Sequence, residues 1–188
     1  MKSNIIKAIR ITLILTVILC VIYPLAIALA ARLSKGHGNG ETITVNGKVV
    51  GYANIGQNFT KPQYFWGRPS AVGYNAAGSG GSNKGPSNPD YLKEVNSRID
   101  TLLKYHPYLK RSDIPAEMVT ASGSGLDPDI SPAAAKIQIE RVAKVRGLGA
   151  EQVTALVNQH TESALFGLFG PAKVNVLKLN VALDELKK

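Results

Sequence analysis

Cysteine, histidine and tryptophan are scarce in this chain of 188 residues, which holds one cysteine, three histidines and one tryptophan. A single cysteine excludes an internal disulfide. Cys20 also lies inside a long apolar run, so it cannot join the histidines in a Cys/His metal set. The sequence therefore predicts no metal site.

Patterns of catalytic residues are also lacking. The chain has no Ser-His-Asp spacing above chance and no Asp-Lys-Thr-Gly phosphorylation motif. Gly78 to Gly85 (GSGGSNKG) resembles a phosphate loop, but such a loop needs Gly before the Lys and Ser or Thr after it. Ala71 to Asn75 (AVGYN) resembles a potassium filter, which needs four such loops around a pore. We therefore expect a chain that is not an enzyme by itself.

Acidic residues are outnumbered by basic ones, 13 to 22. Four basic residues lie at or before Arg32, so the rest of the chain carries 18 basic and 13 acidic residues, a net charge of +5. That excess is mild and scattered, whereas nucleic-acid surfaces cluster their basic residues. Binding to nucleic acid is not expected.

One long apolar run is present, from Ile11 to Ala31, 21 residues without a charge. A helix of that length spans roughly 30 Å, the thickness of the hydrocarbon core of a bilayer. We expect a cytoplasmic N-terminus (1–10), a transmembrane helix (11–32), a linker (33–40) and one soluble domain (41–188). The slight excess of basic residues before the run favours a cytoplasmic N-terminus and an extracytoplasmic domain. This predicts a single-pass membrane protein.

Alternatives for this run stay open. Ala28-Leu29-Ala30 has the form of a signal-cleavage site, which would release a secreted binding module. The run is longer than the usual apolar region of a signal peptide, which favours the membrane helix. Lipid attachment at Cys20 is less favoured because a leucine precedes it. Pro24 predicts a kink within the helix.

The soluble part begins with a predicted β-hairpin. Thr42 to Val45 and Lys48 to Val50 flank Asn46-Gly47, the pair that suits a type I′ turn. An extended run to Ile55 would continue the second strand. Asn88 and Pro89 then predict the start of a helix that ends before Pro107.

Helices predominate in the second half. Ser131-Pro132 predicts a helix running to about Arg146, with Gly147 at its C-terminus. Another helix is expected at about 150–161, followed by a packed loop at 166–171. Residues 174–186 fit either a strand or a helix capped by Asn175, and we favour the helix. The predicted class is α+β: one N-terminal transmembrane helix followed by a single mainly helical soluble domain with a small β-hairpin sheet.

Residues 65–91 (FWGRPSAVGYNAAGSGGSNKGPSNPDY) have the composition of a linker but also contain anchoring side chains. Six of these 27 residues are glycine, three are proline and three are asparagine. Trp66, Arg68, Tyr74 and Tyr91 can pack or pair, which a disordered linker would not need. We therefore expect an ordered loop with positive φ at several glycines.

Long motifs in this block, and others that follow, are similar to one known family. They are YFWGRPS (Tyr64 to Ser70), Tyr74-Asn75, Ser79 to Asn83, Gly85 to Pro89, PAEMVTASGSGLDPDISP (Pro115 to Pro132), Arg141 to Ala143, Arg146 to Leu148, Gln159 to Thr161 and VNVLKLNVALD (Val174 to Asp184). In this order and spacing, the chain resembles the C subunit of the bacterial Kdp potassium-transporting ATPase. The likeness covers nearly the whole chain.

That resemblance implies a non-catalytic subunit of an ATP-driven potassium uptake complex in the bacterial plasma (inner) membrane. Its partners would be a P-type ATPase subunit, a channel-like potassium-translocating subunit and a small single-span subunit. We expect a role in assembly and stabilisation, with the outer domain over the channel-like subunit. The implied contacts come from the loop residues Trp66, Arg68, Tyr74, Asn75, Gly80, Gly81, Asn83, Pro86 and Asn88.

The resemblance also implies a second role, that of a catalytic chaperone that raises the affinity of the ATPase subunit for ATP. Gln159 and His160 would then contact the nucleotide, while no cofactor is intrinsic to the chain. An ordinary helix C-terminus explains the same two residues. An extracytoplasmic domain could not meet cytoplasmic ATP, so orientation and nucleotide role conflict, and we favour the orientation.

Overall fold

The computed structural model describes residues 2–186, and these divide into two compact units that meet between Thr42 and Ile43. The first unit contains helix α1 (Lys2–Val17), a π-helical turn (Ile18–Ile22) and helix α2 (Tyr23–Ala31). Together they form the one helix among the described residues that is long and apolar enough to cross a membrane, Asn4–Ala31. The predicted apolar helix is confirmed, and it begins well before Ile11.

The π-helical turn lies directly before Pro24. Proline has no backbone N–H and its ring collides with the carbonyl four residues earlier. Here the N–H of Tyr23 donates to the carbonyl of Ile18, five residues back, so the helix widens by one residue beside the proline.

Turns and a hairpin follow α2. Residues 33–40 form consecutive hydrogen-bonded turns, including His37 N–H to Ser34 O (2.9 Å). Strands β1 (Thr42–Val45) and β2 (Lys48–Tyr52) confirm the hairpin, and Asn46 and Gly47 both have positive φ as the turn requires. The expected continuation of β2 to Ile55 is wrong, because the chain turns after Tyr52 and Ile55 N–H donates back to Tyr52 O.

Helix α3 (Pro89–Tyr105) confirms the prediction from Asn88-Pro89. The Asn88 side chain accepts from the N–H groups of Asp90 and Tyr91, both at 3.0 Å. Ile99 and Leu102 are buried on the inner face of the helix.

Two helices occupy the segment where one was expected. Helix α4 (Pro132–Lys136) starts at the Ser131 cap, and helix α5 (Ile139–Arg146) ends at Gly147 with φ +67°. The Tyr108 hydroxyl lies in the break between them, donating to Ile137 O (2.8 Å) and accepting from Arg141 N–H (3.2 Å). In a continuous helix those two backbone groups would bond to each other, so the inserted hydroxyl explains the break.

The C-terminal part contains a second sheet that the sequence did not reveal. Helix α6 (Ala150–Gln159) is followed by strand β4 (Thr161–Glu162), strand β5 (Lys173–Asn175) and helix α7 (Val176–Glu185). Strand β5 pairs antiparallel with β4 and with β3 (Asp129–Ile130), in the order β3-β5-β4. Strands of two or three residues are too short to leave a periodic pattern.

Residues 174–186 combine both alternatives: two end a strand and the next ten form a helix. The helix is confirmed, with the Asn175 side chain accepting from Lys178 N–H at 3.0 Å. The apolar side chains of α3 to α7 enclose the core of the second unit. Its fully buried members include Phe65, Val142, Val153, Val174, Leu179 and Leu183.

The predicted packed loop at 166–171 is wrong. Leu165, Phe166, Leu168 and Phe169 are 62%, 83%, 82% and 66% exposed. They form a tight turn between β4 and β5, closed by a bridge between Leu165 and Phe169.

Candidate functional site

The glycine-rich block is ordered because it lies against a second glycine-rich segment. We call residues 67–83 and 122–127 the paired loops. Ser122 N–H donates to Pro69 O (3.1 Å), Gly80 N–H to Ser124 O (2.9 Å) and the Ser70 hydroxyl to Gly125 O (2.6 Å). These bonds tie each loop to the other, so neither behaves as a flexible linker.

Close approach of another group explains two of the glycines, Gly67 and Gly125. A Cβ on Gly125 would lie 2.6 Å from Gly80 O, and one on Gly67 would lie 3.0 Å from the Tyr74 hydroxyl. The expectation of positive φ at several glycines of 65–91 is wrong. Gly73 has it, and the other such residues there are Tyr74 (φ +59°) and Asn83 (φ +52°).

Arg68 and Tyr74 fix the paired loops, as expected of anchoring side chains. Arg68 forms an ion pair with Asp127 (2.9 Å) across the two loops, and both side chains are about one-quarter exposed. The Tyr74 hydroxyl donates to Arg68 O, while Tyr74 N–H donates to the Ser70 hydroxyl (2.9 Å). Burial, and then the negative charge of Asp127, raises the pKa of Tyr74, so its phenol stays protonated and can donate.

Asn75, Asn83, Pro86 and Asn88 are exposed, whereas Gly80 and Gly81 are half-buried between the loops. Asn75 accepts from Ala77 N–H (3.0 Å), and Asn88 caps α3. The predicted loop residues therefore separate into inner anchors and outer side chains. The outer side chains present a surface whose shape the inner ones hold.

Trp66 is half-buried and packs against the core of the domain. Its indole N–H donates to Lys61 O (3.0 Å), and its ring meets Tyr105 edge-on, with centroids 5.2 Å apart. Its backbone N–H and C=O both bond the side-chain amide of Gln138, at 2.8 and 3.1 Å. Trp66 also lines a surface cavity, and the contact expected of it stays a prediction.

Two buried side-chain amides bind the backbone of consecutive residues here. Gln138 pairs with Trp66, and Asn180 pairs with both the N–H (2.8 Å) and the C=O (3.0 Å) of Phe65. Each amide supplies one donor and one acceptor, as a neighbouring β-strand would. This segment is therefore held as extended chain without a sheet.

Arg141 is buried and all its acceptors are uncharged. It donates to His106 Nε2 (2.8 Å), to Gln138 Oε1 (2.7 Å) and to the carbonyls of Pro62 and Tyr64, and its guanidinium lies 4.2 Å from the centre of the Trp66 ring. Burial lowers the pKa of Arg141 to about 10, so it remains charged at neutral pH. Desolvation, partly opposed by the hydrogen bond to Leu102 O, lowers the pKa of His106 to about 4.

Arg146 binds the same segment from the other side. It donates to Gln63 O (2.7 Å) and pairs with Asp184 (2.6 Å), and its guanidinium lies 4.9 Å from the centre of the Tyr64 ring. Both arginines come from α5, so one helix fixes residues 62–66 just before the first of the paired loops. The sequence did not predict a role for these arginines, although both belong to motifs that resemble the known family.

Gln159 and His160 lie at the C-terminus of α6. Gln159 is exposed, and His160 Nδ1 lies 3.0 Å from Leu156 O, the position of a side chain that caps a helix end. The nucleotide contact expected of this pair stays a prediction.

The two carboxylates of Asp127-Pro128-Asp129 are both engaged, Asp127 with Arg68 and Asp129 with Lys173 (2.8 Å). Within residues 2–186 no group of three His, Cys, Asp or Glu side chains could hold a metal ion.

Together, these features define a class of protein: an α+β domain that follows one apolar helix long enough to span a membrane. The paired loops form a surface of that domain held by hydrogen bonds and an ion pair.

Comparison with known proteins then shows which family within this class the chain belongs to. The family model described as "KdpC: K+-transporting ATPase, c chain" matches residues 5–185. A Potassium-transporting ATPase KdpC subunit of Flavobacterium johnsoniae is 60% identical over 185 residues, covering 98% of this chain and 100% of that protein. Subunits of the same name from Bacteroides fragilis and Caldanaerobacter subterraneus are 56% and 49% identical, over 98% and 100% of this chain and 98% of each relative. The chain belongs to the KdpC family, subunits of the potassium-transporting ATPase.

Proposed function

We propose that this chain is a non-catalytic subunit that assembles and stabilises a high-affinity, ATP-driven potassium uptake complex. Its span would pack in the membrane beside a P-type ATPase subunit, a channel-like subunit and a small single-span subunit. Its domain would lie outside the membrane, over the channel-like subunit. The observation that carries the proposal is that the paired loops form an exposed surface held in place by internal hydrogen bonds and the Arg68–Asp127 ion pair.

Preorganisation is the physical reason to assign the contact there. A glycine-rich loop that had to order on binding would lose conformational entropy, which weakens association. Here the Arg68–Asp127 ion pair and the bonds of Ser70 hold the loops before any partner arrives. Asn75 and Asn83 are exposed on this fixed backbone, and the Asn75 side chain accepts from Ala77 N–H.

A cavity of about 350 Å³ beside the first loop strengthens the assignment. Its lining is mostly apolar and includes Phe59, Trp66, Tyr105 and Met118. Aromatic pockets at the edge of a fixed surface are where interfaces commonly seat an anchoring side chain. The ATP-affinity role is the alternative.

The orientation of the domain separates the two roles. In a Cys20→Ala background, Ser112→Cys places a single exposed thiol on a turn outside the paired loops, which the proposed contact leaves uncovered. We expect a membrane-impermeant maleimide to label it in intact spheroplasts, whereas Asn4→Cys, at the other end of the span, is labelled only after lysis. Labelling of Ser112→Cys only after lysis would place the domain with cytoplasmic ATP and overturn the assembly proposal as stated.

A further inference from the structure

The turn between β4 and β5 is an apolar surface that the paired loops do not explain. We call residues 164–170 the apolar tip. From Ala164 to Ala172 (ALFGLFGPA) no residue is charged, and two of the four phenylalanines of the chain lie here. Phe166 and Leu168 are 83% and 82% exposed, far more than an apolar side chain with a place in the core.

The backbone of the apolar tip is strained in a way that turns these side chains outward. Phe166 has φ +55°, in the left-handed region that bulky residues rarely adopt, and Gly167 and Gly170 follow with φ +71° and +78°. The Phe166 ring is largely exposed, so its contacts within the domain do not offset the energetic cost of this backbone conformation. Strain of this kind is usually kept for a function.

Hydrogen bonding within the tip satisfies part of its backbone. Leu165 and Phe169 exchange both backbone bonds at 3.0 Å, Gly167 N–H donates to Ala164 O (2.9 Å) and Leu168 N–H to Leu165 O (3.1 Å). These bonds lower the cost of moving the tip out of bulk water, because lipid offers no hydrogen bonds to the backbone. The interfacial layer still holds water for the remaining carbonyls.

A short tether to the candidate membrane helix would keep the domain close to a bilayer. About ten residues join the end of α2 at Ala31 to strand β1 at Thr42, and even fully extended they reach only about 35 Å. A domain tethered so closely to a candidate span stays near a bilayer surface. We propose that the apolar tip enters the interfacial layer of the membrane that the chain itself spans, with Phe166 and Leu168 among the lipids.

The test uses the full chain alone in vesicles whose lipids carry bromine near the headgroup end of the acyl chains. In a Cys20→Ala background, Leu168→Cys carries an environment-sensitive fluorophore, and Ser112→Cys carries it on an exposed, polar turn of the same tethered domain. We expect quenching at position 168 to be at least about threefold stronger than at 112, since interfacial apolar groups lie about 5–10 Å into this layer.

A second variant separates apolar insertion from mere closeness. Phe166→Ser with Phe169→Ser, in the Leu168→Cys chain, removes the apolar area and is expected to reduce quenching at 168 to the level at 112. Circular dichroism checks that each variant is folded. Equal quenching at 168 and 112 in the parent chain would overturn the proposal, as would quenching unchanged by the two serines. Either result would leave a protein partner as the cover. Because the vesicle test needs no particular orientation and no partner, its failure is distinct from failure of the assembly role.

Discussion

At the residue scale, the domain buries a positive charge, that of Arg141, whose hydrogen-bond acceptors are all uncharged. Arg141 donates to carbonyls, an amide and an imidazole, and stacks on Trp66. A buried charge depends on the completeness of its hydrogen bonds, so the loss of one acceptor is costly. His106 is the acceptor whose protonation removes it.

Acid should therefore destabilise the domain through His106. Its pKa is about 4 in the fold and 6.5 as a free side chain, so the unfolded chain binds the proton first as pH falls. Stability from this group is complete above pH 6.5 and is lost toward pH 4, a change on the order of 3 kcal/mol. Urea unfolding followed by Trp66 fluorescence at several pH values measures it, because Trp66 lies 5.7 Å from His106 by ring centroids.

His106→Gln is the matched control for that measurement. The amide oxygen can still accept from Arg141, but the side chain no longer titrates. We expect the variant to show a flatter profile between pH 6.5 and 4, while carboxylates shared by both proteins titrate alike. Parallel profiles for the two proteins would show that His106 is not the titrating group.

At the element scale, two asparagines cap helices in different surroundings. Asn88 is exposed and bonds only the first turn of α3. Asn175 caps α7 and also donates to Ala53 O (2.7 Å), which ties the buried cap to the segment after the hairpin. The same residue type therefore contributes differently at the two helix starts.

Replacing each asparagine by alanine should reveal that difference. Asn88→Ala is expected to lower the free energy of unfolding by about 1 kcal/mol, the usual value of a cap. Asn175→Ala should lower it by about 2–3 kcal/mol, because it also leaves a buried carbonyl without its donor. Urea titration of both variants is the measurement, and equal losses would mean that the bond to Ala53 adds nothing.

The elements also show what local sequence can and cannot predict. Asn46-Gly47 and Asn88-Pro89 were sufficient for the hairpin and α3, since turns and caps depend on neighbouring residues. The break between α4 and α5 was not predictable, because its cause, the Tyr108 hydroxyl, comes from 29 residues earlier. The apolar tip was misjudged because two phenylalanines and two leucines ordinarily indicate burial, and no local signal shows that a core lies elsewhere.

The sequence predicted which residues belong to the candidate site, but not which residues they contact. The glycines, Arg68 and Tyr74 could be chosen from composition and family likeness. Arg68 pairs with Asp127, 59 residues away, and Ser70 bonds Gly125, 55 residues away, and no local pattern points to either partner. The roles of Arg141 and Arg146 were likewise hidden, because helical periodicity says nothing of a charged residue turned inward.

At the scale of the whole molecule, the chain joins a helix long and apolar enough to cross a membrane to a domain with two unlike surfaces. The paired loops are polar, glycine-rich and fixed from within, which suits a protein contact. The apolar tip is uncharged and satisfies part of its own backbone, which suits the membrane interface. A subunit with both could be oriented by the membrane and recognised by its partners.

The measurement that tests this account most directly is recovery of the assembled complex with an altered outer surface. Asn75→Ala with Asn83→Gly removes both exposed amides, and glycine keeps the positive φ of position 83. Purification through a tag on the ATPase subunit should then recover about tenfold less of this chain, the effect of losing roughly 1.4 kcal/mol of binding. The control is Asn158→Ala, an exposed asparagine on α6 outside the loops, which should leave recovery unchanged. Full recovery of the double variant, with its unfolding midpoint intact, would contradict the assignment of the paired loops as the contact with the complex.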